Sequence, residues 1–170
     1  MPHPLVLQLR FTRSEFQRAL VDLTDADARQ RFQPMNCISW NIGHLAWQEQ
    51  RYWLTRLQNK VLLPELNRDF CFGCSPLTPP LEAMWAAWYT VVDAADPFLD
   101  TLTTAYLQQE RETVADGVSV VLTAGNLMQR MIYHYWYHTG ENMAIRQMLG
   151  HPHLPDFVGN IDDEAPYQPH

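Results

Sequence analysis

A chain of 170 residues, 46% hydrophobic and 18% charged, is long enough for one domain burying about two thirds of its unfolded surface, and too apolar to stay disordered. A formal charge of −7, with twelve Lys and Arg dispersed in no basic run, excludes nucleic acid as the main partner, because phosphate binding calls for a basic face. No apolar stretch approaches the roughly 18 residues that span a bilayer and MPHPLVLQLRFTR lacks a signal-peptide pattern, so no membrane partner and a soluble, cytoplasmic protein are expected.

The periodicity predicts four long helices. The first runs from about Pro4 to Val21, with Leu5, Leu9, Phe16 and Leu20 as its apolar stripe and Arg10, Arg13, Glu15 and Arg18 as a solvated side. Thr24 or Asp25 caps a short turn through Ala28 and Arg31, and Gln33-Pro34 breaks the chain. Ser39 is the expected N-cap of the second helix, which continues to about Gln58. Ile42, Leu45, Trp53 and Leu57 face its core, and His44 shares a neighbouring stripe with Trp40, Trp47 and Arg51. From Asn59 to Thr78 no period is sustained, which predicts a long loop. Thr78 followed by Pro79 reads as the cap and first position of the third helix, bent near Asp96-Pro97 and ending near Gln109. After a turn at Asp116-Gly117, the fourth helix begins at Ser119 or Thr123 and ends near Gly150. Val118 to Val121 could be briefly extended, but no hairpin pair stands out. The last twenty residues, rich in proline and acid, either wrap the domain or fray. The expected architecture is all-α: a four-helix bundle with long connections over residues 1–150 and a tail over 151–170.

Three cysteines, an odd number, do not make a disulfide framework. Cys71 and Cys74 form a C-x-x-C, while Cys37 stands apart. Neither a second ligand pair for zinc nor the strand-then-helix setting of a thioredoxin-like site accompanies them. A structural or incidental role is expected, with a redox or metal role as the alternative.

Chemistry concentrates in MIYHYWYHTGENMAIRQML. His134 and His138 are four residues apart, so a helix projects both from one face, where two imidazoles can share one metal ion. Seven histidines would give about 0.3 such pairs by chance, so context decides. Leu127, Met131, His134, His138, Glu141 and Ile145 share a face, apolar above and below, that should point inward. Two histidines and a glutamate there are expensive unless each finds a partner. A third metal ligand must come from a facing helix, and His44 is the strongest candidate; the dipole of its helix N-terminus is expected to keep its lone pair available. His3, His151, His153 and His170 fall in terminal or proline-rich segments. Three neutral nitrogens leave an open position on Zn²⁺, and Ni²⁺, Fe²⁺ or Mn²⁺ would suit them equally. Glu141 is the candidate catalytic residue, orienting a histidine or moving a proton. The alternative is histidines packed on Trp and Tyr and satisfied by backbone carbonyls. Trp40, Trp47, Tyr133, Tyr135, Trp136 and Tyr137 are expected to pack, and Glu49 to pair with a cation or cap a helix.

The segments S-W-N-I-G-H-L-A-W-Q-E (Ser39 to Glu49) and H-Y-W-Y-H-T-G-E-N (His134 to Asn142) resemble the DinB/YfiT-like superfamily over about residues 4 to 150. They look like its DinB_2 type, which also supplies the N-terminal domain of ergothioneine-pathway sulfoxide synthases. The resemblance implies a four-helix bundle, often dimeric, with a three-histidine site on His44, His134 and His138. It also implies a divalent metal and, as in characterised relatives, a low-molecular-weight thiol as co-substrate. The expected function is thus a metal-dependent enzyme, a thiol S-transferase or hydrolase, acting on a small molecule as a homodimer. A non-catalytic metal-binding or stress-associated helical module is the alternative, and a plain bundle acting through its surface is a third reading.

Overall fold

The computed structural model describes residues 2–115 and 118–168. Helix α1 (Pro4–Arg18) opens on His3, whose Nδ1 accepts the Leu5 amide at 3.1 Å, so an imidazole caps the helix ahead of a proline at its first position. Leu9 and Phe16 are fully buried as the stripe requires, but the supposed solvated side is not one: Arg13 and Glu15 are buried too. Periodicity assigns a charge to solvent unless its partners are known, and here they are distant in sequence. The Arg13 guanidinium holds Glu49 in a bidentate pair (Nε to Oε1 2.8 Å, Nη2 to Oε2 2.7 Å) and Asp96 through Nη1 at 2.7 Å. Tyr135 donates to Glu49 Oε1 at 2.8 Å and accepts from Trp88 Nε1 at 2.7 Å. The ion-pair role expected of Glu49 is therefore met at the centre of the molecule.

Thr24 caps α2 (Asp25–Arg29), its Oγ1 accepting the Asp27 amide. Helix α3 (Ile38–Glu49) starts earlier than expected, with Cys37 rather than Ser39 at its N-cap position and no side-chain cap. All its residues are buried, the condition of a helix enclosed on every side. It continues as a π-helix over Gln50–Arg56. The Gln50 side chain accepts the amides of Leu62 and Leu63 and donates to the Leu63 carbonyl, so the chain folds back at once. The predicted loop contains α4 (Pro64–Asp69), too short for a period to reveal and marked only by the proline that opens it.

Helix α5 (Leu81–Leu99) begins after Pro80, not at Thr78-Pro79. Its capping acceptor is remote: Asp25 Oδ1 takes the Leu81 amide at 2.8 Å. Pro97 lies inside its last turn, and the run expected to reach Gln109 stops at Leu99; Thr103 then caps a separate α6 (Thr104–Gln108). Strands β1 (Glu110–Ala115) and β2 (Val118–Thr123) pair antiparallel, from Glu110 opposite Thr123 to Ala115 opposite Val118. This hairpin was not expected beyond Val118 to Val121, because ERETVA shows no apolar alternation. The turn expected at Asp116-Gly117 lies outside the described residues. Thr123 caps α7 (Ala124–Met148), and Gly150 follows with φ 76°, the left-handed residue that closes helices.

The fold is mostly helical, with α3 against α5 and α7, and α1 against α7. No helix among the described residues is long and apolar enough to cross a membrane. Beyond Gly150 the chain packs on α1: the Gly159 amide donates to Glu15 Oε2 at 2.7 Å, and Phe157 lies under the Arg18 guanidinium and against Trp136. A short α8 (Ile161–Glu164) leads to buried Ala165. Cys71 and Cys74 are joined by a disulfide in the turn after α4, and Cys37 is buried.

Candidate metal centre

Helices α3 and α7 bring His44, His134 and His138 together, with one ligand nitrogen from each lying within 4.8 Å of the others. His44 and His138 are buried and His134 is half-buried. His44 is not near a helix end, as the dipole reading assumed. It sits in mid-helix, its ring sandwiched between Trp40 (4.9 Å, 13° between planes) and Trp47 (5.2 Å, 30°). Both tryptophans pack, as expected of them.

Two hydrogen bonds assign the tautomers. His44 Nδ1 lies 2.7 Å from the Phe70 carbonyl, which can only accept, so Nδ1 carries the proton and Nε2 the lone pair. His138 Nδ1 lies 2.7 Å from Glu141 Oε2, and a carboxylate partner imposes the same choice. His138 Nε2 faces His134 Nε2 at 3.0 Å. Imidazoles whose Nδ1 is held by an oxygen, leaving Nε2 for the cluster, match what a divalent ion needs of its ligands. The residues fit the group that the resemblance implies.

Sequence reading missed the supports. Asn41, fully buried one turn before His44, donates from Nδ2 to Glu141 Oε2 at 3.0 Å and to Asn142 Oδ1 at 2.8 Å. Glu141 therefore stands between Asn41 and His138. Gly43 lets Phe70 in: a Cβ there would lie 2.7 Å from Phe70 Cδ1 and Met84 Sδ, so a larger residue would displace the segment whose carbonyl orients His44. The signal was present in N-I-G-H, but only the partner 26 residues away gives it meaning. Tyr133 and Tyr137 are exposed, while Tyr135 belongs to the Arg13–Glu49 network and Trp136 packs on Phe11. His151 pairs loosely with Asp27 and His3 caps α1, so neither reaches the cluster; His170 lies outside the described residues.

Burial pushes His44 down to about 4, and burial together with the neighbouring His138 and His44 pushes His134 down to about 3. Unfolded imidazoles protonate near 6.5. Between that value and about 4 the unfolded chain binds more protons than the folded one, so metal-free stability falls as the pH drops. At about 1.4 kcal/mol per group per pH unit below 6.5, lowering the pH from 7 to 5 should cost about 4 kcal/mol. Urea unfolding of chelator-treated protein at pH 7, 6 and 5 checks this; constant stability would contradict the lowered His44 and His134.

A helical domain with three converging histidines on two packed helices defines a class of protein able to hold a divalent metal. The family model described as the DinB superfamily matches residues 8–141. The chain belongs to the DinB superfamily, and the resemblance carried by its two histidine motifs is the same assignment. No curated protein matches the chain.

Proposed function

We propose that the protein is a divalent-metal-dependent enzyme that joins a low-molecular-weight thiol to a small electrophile at the three-histidine centre. The observation that carries this reading is the pair of Nδ1 hydrogen bonds, to Phe70 and to Glu141, that turn the Nε2 lone pairs of His44 and His138 toward His134. His44, His134 and His138 would hold Zn²⁺, Ni²⁺, Fe²⁺ or Mn²⁺, and a bound ion would supply the charge that favours a thiolate over a thiol. Glu141 Oε2 fixes the His138 ring, with Asn41 fixing Glu141 in turn, and the half-buried carboxylate takes the proton the thiol gives up. The sulfur then forms the new S–C bond and the electrophile's leaving group departs with its electron pair. The thiol is the nucleophile, which fits a cluster holding no serine or cysteine: Cys37 is buried beside Ser39, and Cys71 and Cys74 are bonded to each other. Residues 1–150 form the reacting unit, and a cytoplasmic homodimer through an exposed aromatic face of α7, where Tyr133 and Tyr137 stand, is part of the same proposal.

Untagged protein loaded in turn with each metal, then incubated with glutathione, bacillithiol or mycothiol and an aryl chloride or epoxide, tests the reading by thiol loss and product mass. Metal-dependent consumption is expected, slower by about a hundredfold in Glu141→Gln. No consumption with any metal would leave a metal-binding module without catalysis.

A further inference from the structure

The C-x-x-C of Cys71 and Cys74 takes no part in the chemistry above, yet it adjoins the centre through the backbone. The carbonyl that accepts the His44 Nδ1 proton at 2.7 Å belongs to the peptide unit joining Phe70 to Cys71. On its N-terminal side that unit is fixed by α4 and by packing: the Phe70 amide donates to the Leu66 carbonyl, and the buried Phe70 ring lies against Gly43 and Trp40. On its C-terminal side Cys71 packs on the core, and two links close the turn. One is the disulfide to Cys74; the other is a backbone bond from the Cys74 amide to the Cys71 carbonyl at 3.0 Å. The rest of the turn, Phe72 and Gly73, is exposed, as are Ser75 and Pro76 after it.

The turn suits both states of the pair. Gly73, at φ 79°, supplies the left-handed residue that lets the Cys74 amide reach the Cys71 carbonyl, so the backbone keeps the two sulfurs near each other when their bond is broken. Cys74 Sγ lies 3.3 Å from the Arg68 carbonyl. A bonded sulfur has no proton to give that oxygen, whereas a thiol there donates to it, so the reduced state gains a hydrogen bond. As a staple the bridge is weak: a loop this short constrains the unfolded chain least. In the reducing compartment proposed above, a disulfide cycles rather than persists.

We propose, resting on the three-histidine reading above, that Cys71 and Cys74 form a second site for low-molecular-weight thiols, a switch acting on His44. The disulfide holds the Phe70 carbonyl on His44 and the ion is bound tightly; the dithiol lets that carbonyl drift and the ion is bound more weakly. The reductant is the thiol itself. Its thiolate attacks Cys74 Sγ, the sulfur on the exposed side of the turn. A new S–S bond forms as the Cys71–Cys74 bond breaks, and Cys71 leaves as a thiolate that takes up a proton. A second thiolate attacks the mixed disulfide, freeing Cys74, which is protonated in turn, and releasing the small molecule as its own disulfide. Two thiols are thus oxidised for one protein bridge reduced. Zinc affinity, by competition with a chelating dye, is compared in three forms: oxidised protein, protein reduced with glutathione and desalted without air, and the double variant Cys71→Ser with Cys74→Ser. The variant has no thiol pair of its own to bind zinc. The reduced protein and the variant should each bind about tenfold more weakly than the oxidised protein, the lower end of what losing a ligand's orienting partner costs. Glutathione disulfide should restore the reduced protein and leave the variant unchanged. In chelator-treated protein the His44 Nδ1 proton should give a protected nuclear magnetic resonance signal when oxidised and lose it when reduced. A variant that binds zinc as the oxidised protein does, a His44 signal that persists on reduction, or a bridge that survives millimolar glutathione would each overturn the switch. Loss of the His44 signal on reduction, in protein that takes up no zinc in any form, would end the metal reading and leave the thiol site acting on His44.

Discussion

Protein with His138 replaced by alanine is expected to emerge from purification without its divalent ion, where the unaltered chain carries about one per molecule. His138 contributes most to the cluster: its Nε2 faces His134 and its Nδ1 is held by Glu141. Structural zinc sites gain on the order of 10–16 kcal/mol from about four ligands, so losing one of three should weaken binding by on the order of 10²–10³-fold. The fold should survive, because the apolar core from Leu9 and Phe16 to Trp53, Trp88 and Ile145 does not pass through the histidines. Metal content by elemental analysis and helicity by circular dichroism separate the two effects. Retained metal at one per chain would remove His138 from the ligand set, and loss of helicity along with metal would make the ion a structural one.

The largest expected loss of stability lies away from that centre. Glu49→Ala should destabilise the protein by about 3–5 kcal/mol, because it leaves the Arg13 guanidinium buried with only Asp96 as an acidic partner. Burial alone would weaken the hold of Arg13 on its proton, but the Glu49 carboxylate more than offsets this and raises it above its ordinary value. Burial and the same carboxylate push the Tyr135 phenol well above its ordinary value, so it remains the donor that Glu49 needs. Denaturant unfolding should show a lower midpoint with an unchanged slope. The double variant Arg13→Met with Glu49→Leu should recover part of the loss, since it removes both buried charges and leaves only the Tyr135 hydroxyl without its acceptor. A single variant as stable as the parent would show that water or another group reaches Arg13.

How much of this was legible in the sequence depends on how far apart the interacting groups lie. Locally encoded features were read well: the apolar stripes of α1 and α7, Thr24 and Thr123 as caps, Gly150 as a terminator, and the i, i+4 spacing of His134 and His138. His44 follows from that pair, as the remaining histidine on a long helix able to face theirs. The family match over residues 8–141 agrees with the motifs that suggested it. What periodicity could not supply were contacts closed by the fold. Arg13 reads as solvated until Glu49 is placed against it, and α5 starts at Leu81 because Asp25 supplies the cap from 56 residues away. The depressed His44 was ascribed to a helix end, whereas burial is the larger cause. The hairpin shows no strand signal because four of the six residues of β1 are polar and its two apolar ones are adjacent.

The wide turn from Gln50 to Arg56 gives the chain a tolerance of length. A segment wound with i→i+5 bonds holds one residue more than an α turn of similar rise, so one extra residue is accommodated without unwinding the helix. Deleting one residue there would let the segment rewind as α and leave His44, upstream, undisturbed. The residues after it would keep close to their present register, because the extra residue is taken up within the wide turn. A one-residue insertion or deletion in engineered versions of this chain would therefore be taken up at this point, leaving Leu57 and Leu63 beyond it in place against the core.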